Sequence, residues 1–168
     1  TLTITAPPIS GEEILRPIVD AYIEAFPTVS VNLVLLVRGA NLIEEGIDIA
    51  LRILDLPDSS MTAIRIGGDV KPVIVASPRY LSQHPRIDQP ADLTRHSIIA
   101  CTDFGRDSWV VPPATGGSIP RSVPIKPRLT VNSVRAALGA AVGGLGVTRL
   151  LTYHVAERVQ DGSLQLLL

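Results

Sequence analysis

The hydrophobic and polar positions in the first half of the chain follow two alternating periods. Apolar residues alternate with polar ones at residues 2–5, 29–35 and 47–53, which is the period of a β-strand. Between the first two stretches, apolar residues over 14–26 recur every three or four positions, as in an amphipathic helix. Strands that alternate with helices predict βαβ units and a mostly parallel sheet.

The start of the first helix is ambiguous in the sequence. Ser10 and Glu13 have the spacing of a capping box, which favours a helix beginning at Ser10. Pro17 conflicts with that start, because a proline in the helix interior leaves a backbone carbonyl without its donor. A regular helix beginning near Glu13 places Pro17 in the first turn, and we therefore expect that later start.

The second half repeats the α/β pattern after a segment rich in proline and polar residues around residues 84–90. Strands are expected at residues 98–101, 109–111 and 129–131, and an alanine-rich helix is expected after the last of them. We therefore expect two lobes, residues 1–84 and residues 85–168.

The composition excludes several classes of protein. The chain has 168 residues, 46% of them hydrophobic, with 15 basic and 16 acidic side chains, so it carries no excess of positive charge for binding nucleic acid. No apolar run approaches the roughly 18 residues of a membrane-spanning helix. The single Cys101 forms no internal disulfide, which fits a reducing compartment.

Signals for catalysis, metals and cofactors are poor. The three histidines lie in different segments without the spacing of metal ligands, and the only cysteine is Cys101. The segment from Gly143 to Gly146 lacks the third glycine of a dinucleotide fingerprint and is interpreted as a helix end and a tight turn. We therefore predict that the protein is not an enzyme and that it holds neither a cofactor nor a metal ion.

Better candidates stand where strands lead into helices. Ser10, Thr102, Asn132 and Ser133 occupy such junctions, and ligands of open α/β sheets bind beyond the carboxyl ends of strands. Helix N-termini there offer free N–H groups to anions. Arg38, after the second strand, is a candidate for a charged contact. Each residue also has an ordinary interpretation, as a cap, a turn hydroxyl or a solvated loop arginine.

Several stretches in order resemble the effector-binding domain of LysR-type transcriptional regulators. The first is Asn-Leu-Ile-Glu-Glu-Gly-Ile-Asp-Ile-Ala-Leu-Arg at residues 41–52, which Leu-Pro-Asp-Ser-Ser continues at residues 56–60. Val-Ala-Ser-Pro-Arg-Tyr-Leu at residues 75–81, Pro-Ala-Asp-Leu-Thr-Arg-His at residues 90–96 and Ala-Val-Gly-Gly-Leu-Gly-Val at residues 141–147 follow. The resemblance covers nearly the whole chain.

This resemblance implies a two-lobed, periplasmic-binding-protein-like (type 2) α/β fold, in which each lobe is a mixed, mostly parallel sheet flanked by helices. It implies a small organic effector, often a carboxylate, in a cleft between the lobes. The effector positions of the family fall on Pro8, Ser10, Arg38, Thr102, Asn132 and Ser133. Because Pro7, Pro8 and Ile9 replace residues that often carry hydroxyls, a more apolar effector is expected.

The resemblance also implies partners outside this chain. A winged helix-turn-helix domain, N-terminal to this segment, would bind DNA in the full-length protein. The family's return to lobe I is expected to be absent after Leu168. We expect a cytoplasmic regulator that forms a homodimer or homotetramer and does not bind membranes. The alternative is a solute-binding protein of a transport system, which has the same fold.

Overall fold

The chain forms two compact units, Thr1–Ile66 and Gly67–Leu168. The structure is a computed structural model, and it describes residues 1–36, 41–53, 61–111 and 120–168. Each unit has its own sheet. The division at Ile66 falls earlier than the boundary at residue 84 that the proline-rich segment indicated.

The first unit is built on three parallel strands in the order β2-β1-β3. Their bounds are β1 Leu2–Ala6, β2 Val31–Leu35 and β3 Ile49–Ala50. Ala6 pairs with Leu35, so the carboxyl ends of β1 and β2 lie at the same edge of this sheet. The parallel arrangement confirms the βαβ prediction, although β3 is much shorter than the apolar alternation suggested.

The helical segment after β1 begins earlier than expected. It consists of α1 (Pro8–Ser10), a π-helical turn (Gly11–Leu15) and α2 (Arg16–Ala25). Pro8 suits a first helical position, because proline fixes the backbone angle there and its missing N–H is not needed. The expected start near Glu13 is therefore wrong. The π turn, in which the Arg16 N–H reaches the Gly11 carbonyl, precedes Pro17 and changes the hydrogen-bonding pattern where the proline enters.

The second unit contains a five-stranded mixed sheet in the order β10-β4-β9-β5-β8, and a separate hairpin of β6 and β7. Strands β5, β8 and β9 run parallel, whereas β4 runs antiparallel to both β9 and β10. The strand bounds are β4 Pro72–Ala76, β5 Ile98–Cys101, β6 Ser108–Val111, β7 Arg121–Pro124, β8 Pro127–Val131, β9 Val147–Leu151 and β10 Gln165–Leu167.

Because of its pairing with β9 and β10, β4 belongs to the second unit and not to the first, where the sequence interpretation had put it. The helix that follows β4 is α3 (Pro78–Leu81), and it packs in the same unit. An apolar strand such as β4 has the same hydrophobic pattern whichever sheet it joins, so its partner strand cannot be predicted from periodicity.

Apolar clusters cover both faces of the larger sheet. On one face, α4 (Val134–Val142) and α5 (Thr152–Gln160) bury small and branched side chains against the strands. On the other face, the β6–β7 hairpin and a 3₁₀ helix (Pro90–Arg95) enclose Trp109, which is 1% exposed. The sheet is thus the middle layer of an α/β structure and is packed on both faces, which fixes the positions of its strand ends.

Candidate functional site

Two of the predicted site residues lie side by side at the carboxyl edge of the larger sheet. Thr102 directly follows β5 and Asn132 directly follows β8, and the last residues of these parallel strands, Cys101 and Val131, are paired. Thr102 is half-buried at the start of a 3₁₀ turn (Thr102–Phe104), while Asn132 is exposed. Strand pairing therefore brings together residues that are 30 positions apart in the sequence.

Ser133 caps the N-terminus of a helix at this same edge. Its backbone is extended, and its Oγ accepts a hydrogen bond from the Ala136 N–H at 3.3 Å, so it is the N-cap of α4. The first turn of such a helix directs N–H groups and the positive end of the helix dipole outward. The edge thus combines a hydroxyl, an amide and a helix N-terminus, which suits hydrogen bonding to a polar or anionic group.

In the first unit, the predicted residues surround the start of the helix that follows β1. Pro8 is half-buried at the first helical position. Ser10 is fully buried, and its hydroxyl donates a hydrogen bond to the Pro7 carbonyl at 3.1 Å, so it supports the helix start. The capping contact that the spacing of Ser10 and Glu13 favours is not formed, because the backbone of Ser10 is already helical. Arg38 lies outside the described residues.

A residue that the sequence analysis did not single out, Arg149, also reaches this edge. It is half-buried on β9, and its Nη1 donates a hydrogen bond to the Phe104 carbonyl at 3.0 Å. Burial lowers the pKa of its guanidinium. The available signal was the sequence Val-Thr-Arg-Leu-Leu, in which one arginine interrupts an apolar strand.

A second polar cluster lies at the opposite edge of the sheet, where β4 ends. The hydroxyl of Tyr80 lies 3.1 Å from Nδ1 of His96 and accepts the N–H of Ser97 at 2.9 Å. Because the hydroxyl proton needs an acceptor, we assign Nδ1 as the acceptor and place the imidazole proton on Nε2. Burial lowers the pKa of His96 and raises that of Tyr80, so both are neutral at pH 7.

Within residues 1–36, 41–53, 61–111 and 120–168, no cluster of three or more His, Cys, Asp and Glu side chains could hold a metal ion. Across the same residues, no helix is both long and apolar enough to cross a membrane. Cys101, next to Thr102, is 1% exposed, and burial raises the pKa of its thiol.

Comparison with known proteins identifies a family. The family described as "LysR substrate binding domain" matches residues 1–168. The chain is 30% identical over 152 residues to the HTH-type transcriptional regulator CrgA of Neisseria meningitidis serogroup C, and this alignment covers 90% of the chain and 49% of CrgA. It is 27% identical over 168 residues to the HTH-type transcriptional activator AaeR of Escherichia coli K12, which covers 100% of this chain and 53% of AaeR. The chain thus spans about half the length of these curated relatives.

Solved structures show the same fold. The regulatory domain of AphB from Vibrio vulnificus superposes with a TM-score of 0.86 at 24% identity, over 99% of this chain and 82% of that domain. The structure of CrgA, a LysR-type transcriptional regulator from Neisseria meningitidis, gives a TM-score of 0.81 at 28% identity, over 99% of this chain and 55% of CrgA.

The chain is an α/β domain with the type 2 periplasmic-binding-protein-like fold. Its first unit holds a three-stranded parallel sheet and its second unit a five-stranded mixed sheet, with polar groups at the carboxyl edges of the strands. Within that class, the chain belongs to the LysR substrate-binding domain family, the regulatory domains of LysR-type transcriptional regulators.

Proposed function

We propose that this chain senses a small organic effector and thereby controls a LysR-type transcriptional regulator of which it is the regulatory part. The observation that carries the proposal is the pairing of Cys101 with Val131, because it places Thr102 beside Asn132 and the N-terminus of α4. Polar groups at this edge would bind the effector, and binding would favour one of two arrangements of the regulator.

The predicted first-unit residues belong to the same proposal. Pro8 and Arg38 would contact the effector after β1 and β2, whose carboxyl ends share an edge of their sheet. Ser10 would act mainly through the helix start, since its hydroxyl is already bonded to the Pro7 carbonyl.

The test is an unbiased search for the effector followed by two substitutions. Native mass spectrometry of the purified protein would identify small molecules that co-purify, and calorimetry with a metabolite panel would measure their affinity. Hydrogen bonds to a charged ligand contribute about 1.5–3 kcal/mol each, so Thr102→Ala and Ser133→Ala should weaken binding at least tenfold. Wild-type affinity in both variants would remove this edge from the site.

Ser133→Ala also removes a helix cap, and this needs a matched control. Ser77 caps α3 in the same way, by accepting the Tyr80 N–H at 3.2 Å, but it lies at the opposite edge of the sheet. Ser77→Ala should therefore lower stability by about 1 kcal/mol and leave effector affinity unchanged.

The rest of the proposal concerns the full-length regulator. An N-terminal helix-turn-helix domain would bind DNA, and the protein would act in the cytoplasm, where that DNA is. The relatives are transcriptional regulators, so a role as a transport solute-binding protein is not favoured, and we propose no catalytic activity.

We further propose that the protein is a homodimer or homotetramer and that the exposed face of α2 contributes to the contact. Ile14, Ile18, Tyr22 and Phe26 recur every four residues along this helical segment, and Ile18 is 59% exposed. A row of large exposed apolar side chains is typical of a protein interface.

Sedimentation of the intact chain would test this contact. Ile18→Glu should convert the dimer to monomer, whereas Glu24→Gln, on the polar part of the same helix, should not change the mass. A wild-type chain that sediments as a monomer at high concentration, or an Ile18→Glu chain that stays dimeric, would contradict the contact.

A further inference from the structure

The 3₁₀ turn that carries Thr102 has little structure of its own. It consists of the three residues Thr102–Phe104, and no side chain caps its N-terminus. A 3₁₀ turn has poorer hydrogen-bond geometry than an α-helix, so a single turn of this kind needs contacts from outside to keep one conformation.

Two side chains hold the end of this turn by its backbone carbonyls. Nη1 of Arg149 donates a hydrogen bond to the Phe104 carbonyl at 3.0 Å, and Nε1 of Trp109 donates one to the Gly105 carbonyl at 3.3 Å. Trp109 belongs to the apolar cluster on the hairpin face of the sheet. Arg149 approaches from the same face, because residues two apart on a strand share a face and Val147 belongs to that cluster.

The aromatic ring of Phe104 is held from the other face of the sheet. It packs against the apolar cluster beneath α4 and α5, and the imidazole of His154 meets it edge-on, with 5.8 Å between the ring centroids. Arg149 and His154 belong to one short segment, the end of β9 and the start of α5. This segment thus holds Phe104 both by its carbonyl and by its ring.

The hydroxyl of Thr102, in contrast, makes no hydrogen bond to any residue within the described part of the chain. Thr148, on the neighbouring strand β9, uses its hydroxyl in a 3.0 Å hydrogen bond to the Ile99 carbonyl, and Ser10 bonds the Pro7 carbonyl. Because Thr102 is half-buried, its hydroxyl can bond a ligand at this edge, provided that the turn keeps it in place.

We propose that Arg149 is a positioning residue for Thr102. Its guanidinium, through the Phe104 carbonyl, holds the turn in the conformation in which the Thr102 hydroxyl bonds the effector, and it acts without contacting the effector itself. The proposal rests on the proposed effector sensing and adds how the sheet prepares the site before a ligand arrives. A site already held in its binding conformation loses less conformational entropy on binding, so its affinity is higher.

The first experiment measures whether Arg149 keeps the turn closed, with N-ethylmaleimide as the probe. Cys101 directly precedes Thr102 and is 1% exposed, so the reagent reaches its thiol only when this part of the edge opens. Arg149→Met should raise the labelling rate of the native chain about tenfold or more, because the turn loses a hydrogen bond from a charged donor. Arg149→Lys keeps a charged donor and should restore most of the protection.

Two controls separate local opening of the turn from a general loss of stability. Arg128→Met removes an exposed arginine of β8 and should label like wild type. Ser77→Ala removes the cap of α3 at the opposite edge, so it should accelerate labelling only as far as it lowers the free energy of unfolding. A labelling rate for Arg149→Met that equals wild type, or that follows its loss of stability alone, would overturn the proposal.

The second experiment is a double-mutant cycle, measured by calorimetry with the molecule that native mass spectrometry identifies in the wild-type chain. Thr102→Ala and Arg149→Met should each lower its affinity about tenfold or more, and the double variant should bind no more than about threefold more weakly than Thr102→Ala. Arg149→Lys should restore most of the affinity. Losses that multiply in the double variant would show that Arg149 acts independently of Thr102 and would overturn the proposal.

The outcomes distinguish this proposal from the proposed function. A molecule that binds Arg149→Met as tightly as wild type would overturn the positioning role and leave effector sensing intact. If no co-purifying molecule and no member of the metabolite panel binds the wild-type chain, the proposed function fails, and the positioning role fails with it even where labelling is accelerated.

Discussion

Lowering the pH should destabilise the second unit through one histidine, His154. It is the third residue of α5, and its Nδ1 accepts the Leu151 N–H at 3.2 Å, at the N-terminus of the helix. Protonation would convert this acceptor into a donor and would place a positive charge at the positive end of the helix dipole. Burial lowers the pKa of His154 from 6.5 to about 4.

The sign and size of the effect follow from this lowered pKa. Between pH 6.5 and pH 4 the unfolded chain binds a proton at this site and the folded chain does not, so stability is lost as the pH falls through that window. Integrating this difference in proton binding gives a loss of about 2 kcal/mol at pH 5 and almost none at pH 7.5.

Urea unfolding at pH 7.5 and pH 5 would measure the effect, with the fluorescence of Trp109 as the probe. Trp109 is the only tryptophan and is buried in the second unit, so its signal reports on that unit. Glutamine at the third helical position can accept the N-cap N–H without titrating, so His154→Gln should lose about 2 kcal/mol less than wild type on going to pH 5.

A second variant separates the hydrogen bond from the titration. His154→Ala should cost about 1 kcal/mol at pH 7.5, because the Leu151 N–H loses its acceptor, and it should share the weaker pH dependence of His154→Gln. The reasoning is refuted if wild type and His154→Gln lose equal stability between pH 7.5 and pH 5, or if NMR titration shows that His154 has an ordinary pKa.

Two further predictions concern the loop after α4 and the buried thiol. A β-carbon at Gly146 would overlap the carbonyl oxygen of Ser97, so Gly146→Ala should lower the free energy of unfolding, measured in urea, by about 3 kcal/mol. Gly139 lies in open space within α4, so Gly139→Ala should raise the free energy of unfolding by about 1 kcal/mol. A small cost at Gly146 would show that the two segments separate easily. Because Cys101 is buried and its thiol pKa is raised, a maleimide should label it only in denaturant, and rapid labelling of the native chain would contradict its burial.

Local pattern was sufficient to predict strands β5, β6 and β8 and the alanine-rich helix α4 of the second unit. The parallel pairing of β1 with β2 follows from strand–helix alternation in the sequence. The parallel pairing of β5 with β8 does not follow from it, because the described part of their connection consists of a 3₁₀ turn and the β6–β7 hairpin. The start of the first helix could not be predicted, because propensity rules treat Pro17 as an obstacle and do not foresee the π turn at Gly11–Leu15. Gly11, the first residue of that turn, packs directly against Leu35 of β2, a contact between distant residues that local propensity does not predict.

The candidate site was predictable to the extent that its residues follow parallel strands. Thr102 and Asn132 could be proposed because each directly follows a predicted strand, and the structure shows that these two strands are parallel and adjacent. Ser10 has the same sequence context, but its burial depends on tertiary packing and could not be read from a junction. Arg149 was not predicted as a site residue, because it lies inside a strand and the sequence criterion considered only residues that follow a strand.

The direction of β4 shows that a polar residue at a strand–helix junction can be assigned to an edge of the sheet only when the sheet topology is known. Ser77 also follows a strand and caps a helix, so by sequence alone it resembles Ser133. Because β4 runs antiparallel to β9, its carboxyl end lies at the opposite edge, near Gly144 of the loop that leads into β9. Two capping serines with the same local chemistry thus lie at opposite edges of the sheet, and of the two it is Ser133 that shares an edge with Thr102. Strand direction, which long-range pairing determines, therefore decides at which edge of the sheet a polar strand–helix junction lies.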